Sequence, residues 1–303
     1  MADSRDSGRS RMVGRVEAIF RYPVKSMLGE SLAEVSVAST GLVGDRGFAV
    51  QDPASGRVLS AKKWPQLFNF RATYQPAWQA GLAQALRITL PDGRTVGGAD
   101  AQAASLISRW FAQPLALVQA RPGLPAEAEI DPRTVFGEVA VGEILAGKTS
   151  DDLPFSLRLA GGSFCDAAAL HLVTGATLER LGQLAGGRSH FDPRRFRPNI
   201  LIAANDGDDS AFQATAQPSQ DRPQFVEDGW VGGKLRLGDS VVLHGLHPTL
   251  RCVMTTHAQE NLGRDPEVLR AAARLHGAMV GLWAWVAETG TVRVGDAVWW
   301  LAE

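Results

Sequence analysis

The chain has 303 residues, enough for one large domain or two medium ones with their own hydrophobic cores. Hydrophobic residues make up 45% of the sequence and charged residues 21%, as in an ordinary soluble globular protein. The net charge of −1 gives no reason to expect nucleic acid or an anionic membrane surface as the main partner, and no apolar run approaches the ~20 residues of a membrane-spanning helix.

The first residues and the cysteines favour a cytoplasmic protein. Residues 1–12 are polar and mixed in charge and lack the apolar middle of a secretory signal, so we expect a frayed tail. The chain has two cysteines, Cys165 and Cys252. In the cytoplasm we expect free thiols rather than a disulfide between them.

The first half of the chain has the pattern of short strands joined by tight turns. Apolar and polar residues alternate over residues 16–20 and again over 86–90, ahead of a Pro-Asp-Gly turn. Two short apolar runs flank residues 53–56, which is typical of a hairpin. A helix is predicted from about Asp100, a suitable N-cap, up to Pro114.

The second half follows a predicted join at residues 121–131, which hold two prolines and three acidic residues. Residues 205–224 are rich in Asp, Ser, Gln and Pro and are predicted to form a loop. Many short strands with few helices predict a mainly β protein with some α-helix, of the α+β class, with a β-barrel-like architecture. We expect strands at residues 170–173 and 200–202 and around Leu235, Val253 and Val298, and helices at residues 176–185 and 266–276.

Residues 248–254, PTLRCVM, contain the strongest chemical feature. Cys252 lies among apolar residues that favour a strand, where a cysteine is often a small core residue. Arg251 precedes it, and its fixed positive charge favours the thiolate, the form that ligates soft metals. Successive strand residues point to opposite faces, so an interaction between these two side chains needs a departure from strand geometry.

Two segments of the first half offer groups for an anion. Lys25 and Ser26 follow the first predicted strand and can present an ammonium and a hydroxyl to a phosphate. Residues 41–47 have closely spaced glycines, and Arg46 offers a planar fork for an oxyanion. A solvated turn and an ion pair between Asp45 and Arg46 are the alternative interpretations.

Residues 194–199, RRFRPN, place three arginines within four positions. These side chains would repel one another without an anion or an acidic partner nearby, and a basic surface patch is the alternative. Pro198 predicts an extended approach to the next strand, which would put Arg197 and Asn199 on one face.

Taken in this order and spacing, the four segments resemble the MOSC family, named for the molybdenum cofactor sulfurase C-terminal domain, and within it the amidoxime-reducing type and its bacterial relatives. The resemblance extends over nearly the whole chain from Val13. It implies a β-barrel-type MOSC N-terminal domain at residues 11–125 and a β-barrel-like MOSC domain at residues 126–303. The matching motifs are YPVKS at 22–26, GLVGDR at 41–46, FRPN at 196–199 and RC at 251–252, with further likeness at 172–178, 227–230 and 291–298.

The resemblance also implies a site for the molybdenum cofactor (molybdenum bound to molybdopterin). Cys252 would be the catalytic residue and the protein's ligand to the metal, beside the two dithiolene sulfurs of the pterin. The implied cofactor-binding residues are Lys25, Ser26 and Arg46 at the phosphate, Arg197, Asn199 and Arg251 at the pterin and nearby oxygens, and Thr174 and Thr177 at a helix N-terminus suited to an anion or an oxo group.

By this resemblance the protein is a molybdenum-dependent oxidoreductase of the cytoplasm that reduces N-hydroxylated compounds, such as amidoximes, hydroxylamines and N-hydroxylated base analogues. A separate protein would supply electrons, since no cysteines remain for an iron–sulfur domain. One alternative is a carrier of the cofactor or of sulfur without turnover. Another is a barrel that has lost its cofactor.

Two further features bear on these alternatives. Gly175 stands where relatives of the eukaryotic type carry an acidic residue, which concerns the substrate side of the metal. His244 and His247 could imitate a zinc site together with Cys252, but their odd spacing in a strand turns the two rings to opposite faces.

Overall fold

The computed structural model describes residues 10–76, 81–121, 127–129, 156–158, 162–204 and 225–301. The predicted loop at residues 205–224 lies outside the described residues, as does part of the predicted join at 121–131. None of the described helices combines the length and the apolar character that crossing a membrane requires.

Strands dominate the described residues. The strands are β1 (Arg11–Arg21), β2 (Glu30–Leu32), β3 (Glu34–Ala38), β4 (Gly41–Leu42), β5 (Phe48–Gln51), β6 (Arg71–Tyr74), β7 (Leu86–Thr89), β8 (Thr95–Gly97), β9 (Ala116–Gln119), β10 (Glu127–Glu129), β11 (Ser156–Arg158), β12 (Leu170–Thr174), β13 (Ile200–Ala204), β14 (Lys234–Leu237), β15 (Val241–Leu250), β16 (Met279–Glu288), β17 (Gly290–Arg293) and β18 (Ala297–Leu301). The α-helices are α1 (Leu82–Ala85), α2 (Ala103–Phe111), α3 (Gly175–Leu184), α4 (Pro193–Phe196) and α5 (Glu267–His276), and the 3-10 helices are Pro65–Asn69, Val226–Trp230 and Val253–Thr256.

Seven strands close into a β-barrel. Their order is β13-β12-β16-β15-β14-β18-β1, and β1 pairs back with β13, with Gly14 opposite Ala204 and Ile19 opposite Ile200. Only β12 and β13 run parallel among these neighbours, and α3 and α4 form the crossover that a parallel pair needs. The predicted α+β class with a barrel is confirmed.

Apolar side chains fill the barrel. In β1 a bulge between Val16 and Ala18 shifts the alternation by one residue, so that Val16 and Ile19 both point into the core. They meet Leu172 of β12 and the fully buried Trp230 there. Outside the barrel, α3 and α5 pack against β12, β13 and β16 through a second apolar cluster.

The segment between β5 and β9 forms small sheets around a core of its own. Strands β6, β7 and β8 form one sheet, β5 and β9 another, and α2 packs beside them. The predicted strand ahead of the turn at residues 91–93 and the hairpin around residues 53–56 are both confirmed. Strand β1 precedes residue 125 but belongs to the barrel. The predicted boundary between two domains at residue 125 therefore stays a prediction.

Two local predictions are wrong. Val253 lies in a 3-10 helix rather than a strand, because β15 ends at Leu250 and the Thr255 amide closes a turn onto the Cys252 carbonyl. Arg197 is left-handed (φ 52°, ψ 49°) rather than extended, because it caps the end of α4. Its side chain therefore points in a different direction from that of a strand residue.

Candidate functional site

A cavity of about 120 Å³ opens where the barrel meets the N-terminal sheets. Its walls come from stretches that are far apart in the sequence. Seven of the nine residues that the sequence analysis assigned to the site line it: Lys25, Ser26, Arg46, Arg197, Asn199, Arg251 and Cys252. The cationic groups expected to hold an anion and the thiol expected to bind a metal therefore share one cavity.

Cys252 stands just beyond the end of β15. Its carbonyl accepts hydrogen bonds from the Thr255 amide (3.1 Å) and hydroxyl (3.0 Å), which fix the backbone there. Because the strand has already ended at Leu250, Arg251 and Cys252 do not alternate between faces, and both line the cavity. Cys252 is a free thiol that is partly exposed.

Arg251 and His171 form a buried pair beside the thiol. Arg251 donates through Nη2 to the Phe196 carbonyl and through Nη1 to His171 Nε2 (3.2 Å). Burial, followed by the charge of Arg251, holds the pKa of His171 well below its ordinary value, so the neutral ring accepts this bond. Burial lowers the pKa of Arg251 to about 10, although a Cys252 thiolate opposes the shift. Arg251 Nε has no partner among the described residues, so it remains available to a ligand oxygen.

Arg195 braces the wall that carries Cys252. This guanidinium is 3% exposed and donates to the carbonyls of Thr255 (3.3 Å), His257 (3.2 Å) and Gly263 (2.7 Å). These bonds tie the short helix after Cys252 to α4. Neither Arg195 nor His171 was assigned to the site from sequence: the only signals were the arginine cluster itself and one histidine inside an apolar strand.

Lys25 is held in the cavity wall by two acceptors. Its ammonium donates to the Phe164 carbonyl (2.9 Å) and forms an ion pair with Asp166, which also pairs with Lys62 (3.3 Å). Burial opposes the charge of Asp166, but Lys25 and Lys62 outweigh it and hold the pKa of the carboxyl well below its usual range. No sequence motif marked Asp166 or Lys62 for this position.

Ser26 and Arg46 both have left-handed backbones, with φ of 67° and 46°. Ser26 Oγ accepts a hydrogen bond from the Ala61 amide (3.0 Å). Arg46 forms an ion pair with Asp45, as one alternative interpretation proposed, and its Nη2 also donates to the Arg197 carbonyl (3.3 Å). The ion pair and the place in the cavity wall therefore coexist.

Tyr22 stacks against two like charges. The guanidinium carbons of Arg46 and Arg197 lie 4.4 Å and 4.0 Å from its ring centroid. Arg197 also donates to the Met27 carbonyl (2.8 Å), and burial lowers its pKa to about 10. Stacking on an aromatic face offsets part of the cost of placing two cations close together.

Asn199 is used within the protein. Its Oδ1 accepts from the His171 amide (3.1 Å), and its Nδ2 donates to Asp45 Oδ2 (3.0 Å). Asp45 in turn accepts from the Tyr22 amide (2.8 Å). Asn199 therefore lines the cavity and at the same time links the barrel to the segment that follows β1.

The structure does not bring Thr174 and Thr177 to the cavity. Both are almost fully buried at the start of α3, where Thr174 Oγ1 caps the helix by accepting from the Thr177 amide (3.1 Å). The group at this helix N-terminus is the protein's own Glu227, which accepts from the Thr174 amide and the Thr177 hydroxyl. A buried carboxyl group thus fills the place where a ligand anion or an oxo group was expected.

The lining is strongly cationic. One carboxylate, Asp166, faces five basic side chains in the wall, and these are Lys25, Arg46, Arg195, Arg197 and Arg251. Among the described residues, no group of three or more His, Cys, Asp or Glu side chains could hold a metal ion, which leaves the zinc alternative without a ligand set. The arrangement is suited to an anionic ligand that brings its own metal to one thiol.

Comparison with known proteins gives two matches to family models. The MOSC N-terminal beta barrel domain matches residues 13–113, and the MOSC domain matches residues 160–299. No curated protein matches the chain. A crystal structure of the YUAD protein from Bacillus subtilis aligns over 97% of this chain and 98% of that one, with 9% sequence identity and a TM-score of 0.40.

The two family models together account for well over half of the chain. MOSC domains are associated with proteins that bind the molybdenum cofactor, and some of these proteins are oxidoreductases. The chain belongs to the MOSC family, with a MOSC N-terminal beta barrel domain ahead of its MOSC domain.

Proposed function

We propose that this protein binds a molybdenum cofactor in the cavity, with Cys252 as the ligand from the protein, and reduces N-hydroxylated substrates with electrons from a separate donor protein. The observation that carries the proposal is the shared cavity: the Cys252 thiol, Lys25 and Arg46 line the same space. A thiol sealed in hydrocarbon, away from these cations, would have excluded it.

The chemistry of the lining fits such a group. A thiolate is a ligand of choice for a soft metal. Basic side chains match a phosphate, and the buried, unpartnered Nε of Arg251 is suited to an oxygen acceptor. The enclosed volume of about 120 Å³ is below the ~300–1,000 Å³ of pockets that enclose a small molecule. A pterin-sized ligand would therefore fill this space and extend through its open side.

Residues in different parts of the cavity wall would hold different parts of the cofactor. Lys25, Ser26 and Arg46 would hold the phosphate, while Arg197 and Arg251 would bond other polar atoms of the cofactor. When bound, the molybdenum supplies two-electron chemistry that can remove oxygen from a substrate. Reduction of an N-hydroxyl group releases water and consumes two electrons and two protons, so the reaction needs the proposed donor protein.

The first test is the content of molybdenum and pterin in protein made by a host that synthesises the cofactor. We expect near-stoichiometric amounts of both, and reduction of an amidoxime by the reconstituted system. Cys252→Ala should abolish this reduction without unfolding the protein, whereas Cys165→Ala is the matched thiol control. Activity retained in Cys252→Ala would remove Cys252 from the mechanism.

A second test addresses the phosphate end. Lys25→Ala and Arg46→Ala should each lower pterin occupancy, because each removes a charge-assisted contact of roughly 1.5–3 kcal/mol. Occupancy is measured by pterin fluorescence after gel filtration. Unchanged occupancy in both variants would mean that the phosphate lies elsewhere.

The same measurements separate the carrier from the enzyme. Tight binding of cofactor without turnover, with the donor system present, would support a carrier. Absence of molybdenum and pterin from any host that makes the cofactor would support a barrel that no longer binds it.

A further inference from the structure

Asp166 is shared between two lysines at the wall of the cavity. Its Oδ1 pairs with Lys25 Nζ and its Oδ2 with Lys62 Nζ (3.3 Å). One negative charge thus faces two positive ones, so the cluster keeps an excess positive charge. A dianion in the same position would neutralise both ammonium groups.

Burial differs across the cluster in a way that shows which partner can leave. The Lys25 and Lys62 side chains are 6% and 12% exposed, whereas that of Asp166 is 38% exposed. Lys25 is also anchored to the Phe164 carbonyl. The carboxylate is therefore the partner that an incoming dianion can reach and replace, while the two ammonium groups stay inside.

The backbone sets the spacing of the two lysines. Ser26 Oγ accepts from the Ala61 amide (3.0 Å), which fixes the residue before Lys62 against the residue after Lys25. Because Ser26 Oγ is the acceptor in this bond, the hydrogen of its hydroxyl is left to donate elsewhere. Two ammonium groups and one hydroxyl donor held in place are a donor set for phosphate oxygens.

We propose that Lys25 and Lys62 form a subsite for a phosphate dianion, and that Asp166 occupies this subsite as an internal anion until the phosphate displaces it. With the cofactor as the source of the phosphate, the inference rests on the proposed function. Free phosphate has the same chemistry and is the other source. Lys62, absent from the recognised motifs, becomes a binding residue, and Asp166 becomes its competitor.

The test is calorimetric titration of the full-length chain with inorganic phosphate, at about pH 8, where phosphate is mostly a dianion. Removal of the internal competitor should tighten binding, because phosphate no longer selects the minor state with Asp166 turned out. We expect Asp166→Asn to bind about tenfold more tightly than the wild type. Asp166→Ser serves as a second variant in case the first does not fold.

A simple loss of negative charge would also favour phosphate, so the design includes Lys62→Met. If Asp166 competes for the lysine pair, most of the gain from Asp166→Asn disappears in the Lys62→Met background. A gain that persists there undiminished, or unchanged or weaker binding in both Asp166 variants, would overturn the proposal.

Two further measurements identify the source of the phosphate. If the cofactor supplies it, Asp166→Asn retains more pterin through gel filtration than the wild type, and inorganic phosphate binds only to the cofactor-free chain. Phosphate that binds equally to loaded and cofactor-free chains identifies free phosphate as the ligand. If the chain contains no molybdenum or pterin but Asp166→Asn still binds phosphate more tightly than the wild type, the phosphate subsite stands and the proposed function is wrong. If the chain is loaded with cofactor but Asp166→Asn binds phosphate no more tightly, the subsite is wrong and the proposed function stands.

Discussion

Glu227 should give the protein a pH-dependent stability that one substitution removes. The residue is 2% exposed and accepts hydrogen bonds from the Thr174 amide and the Thr177 hydroxyl. Burial raises its pKa from 4.5 to about 7, with the two hydrogen bonds opposing the shift. The folded protein therefore binds this proton more tightly than the unfolded chain does.

Proton linkage gives the sign and the size of the effect. The contribution of protonated Glu227 to stability is complete below about pH 4.5 and is lost as the pH rises to about 7. Over that range the folded state must give up a proton that the unfolded chain has already released. The difference between the two pKa values corresponds to roughly 3 kcal/mol, at ~1.4 kcal/mol per unit.

Glu227→Gln keeps the size and one acceptor oxygen but does not titrate. The assay is the free energy of unfolding in urea from about pH 4.5 to about pH 8. Over this range we expect the wild type to lose about 3 kcal/mol relative to the variant. Glu179→Gln, an exposed carboxylate on α3, is the matched control and should follow the wild type. Parallel profiles for the wild type and Glu227→Gln would refute the reasoning.

The remaining predictions concern the wall around the thiol. Burial and then Asp45 raise the pKa of Cys165 to about 11, so this thiol should react slowly at about pH 8. A disulfide reagent should therefore find one fast-reacting thiol per chain, and this fast reaction should be absent in Cys252→Ser. A fast thiol that survives in Cys252→Ser would contradict this. Arg195→Met should lower the free energy of unfolding by roughly 3 kcal/mol, because three carbonyls lose a charged donor. An unchanged midpoint of urea unfolding would show that these hydrogen bonds do not stabilise the wall.

Patterns of period two and turn residues were enough to predict most of the fold. The run at residues 170–173 and the turn at residues 91–93 each carry their own signal. The pattern failed at Arg197, whose backbone is left-handed because it caps the short helix α4. The contacts of its side chain were also beyond the pattern, because the Met27 carbonyl and the Tyr22 ring that the guanidinium contacts lie far away in the sequence.

The residues of the candidate site were likewise predicted only in part. Lys25, Arg46 and Cys252 were found because motifs mark them. Thr174 and Thr177 were placed at the ligand on the general suitability of a helix N-terminus, but Glu227, some fifty residues later, takes that position. A competition between a carboxylate of the protein and a ligand anion depends on tertiary packing, which local patterns do not encode.

Strand β1 explains why residues from both ends of the chain meet in one cavity. It fills the gap between β13 and β18, and it ends at Arg21, immediately before the segment that carries Lys25. A slip of β1 by one residue would turn Val16 and Ile19 out of the core and so cost several kcal/mol (about 1.5–3 per side chain). Burial inside the barrel therefore fixes the register of β1, and that register sets the position of Lys25 relative to Cys252 although the two residues belong to distant parts of the sequence. The hydrophobic core thus determines the geometry of the polar site.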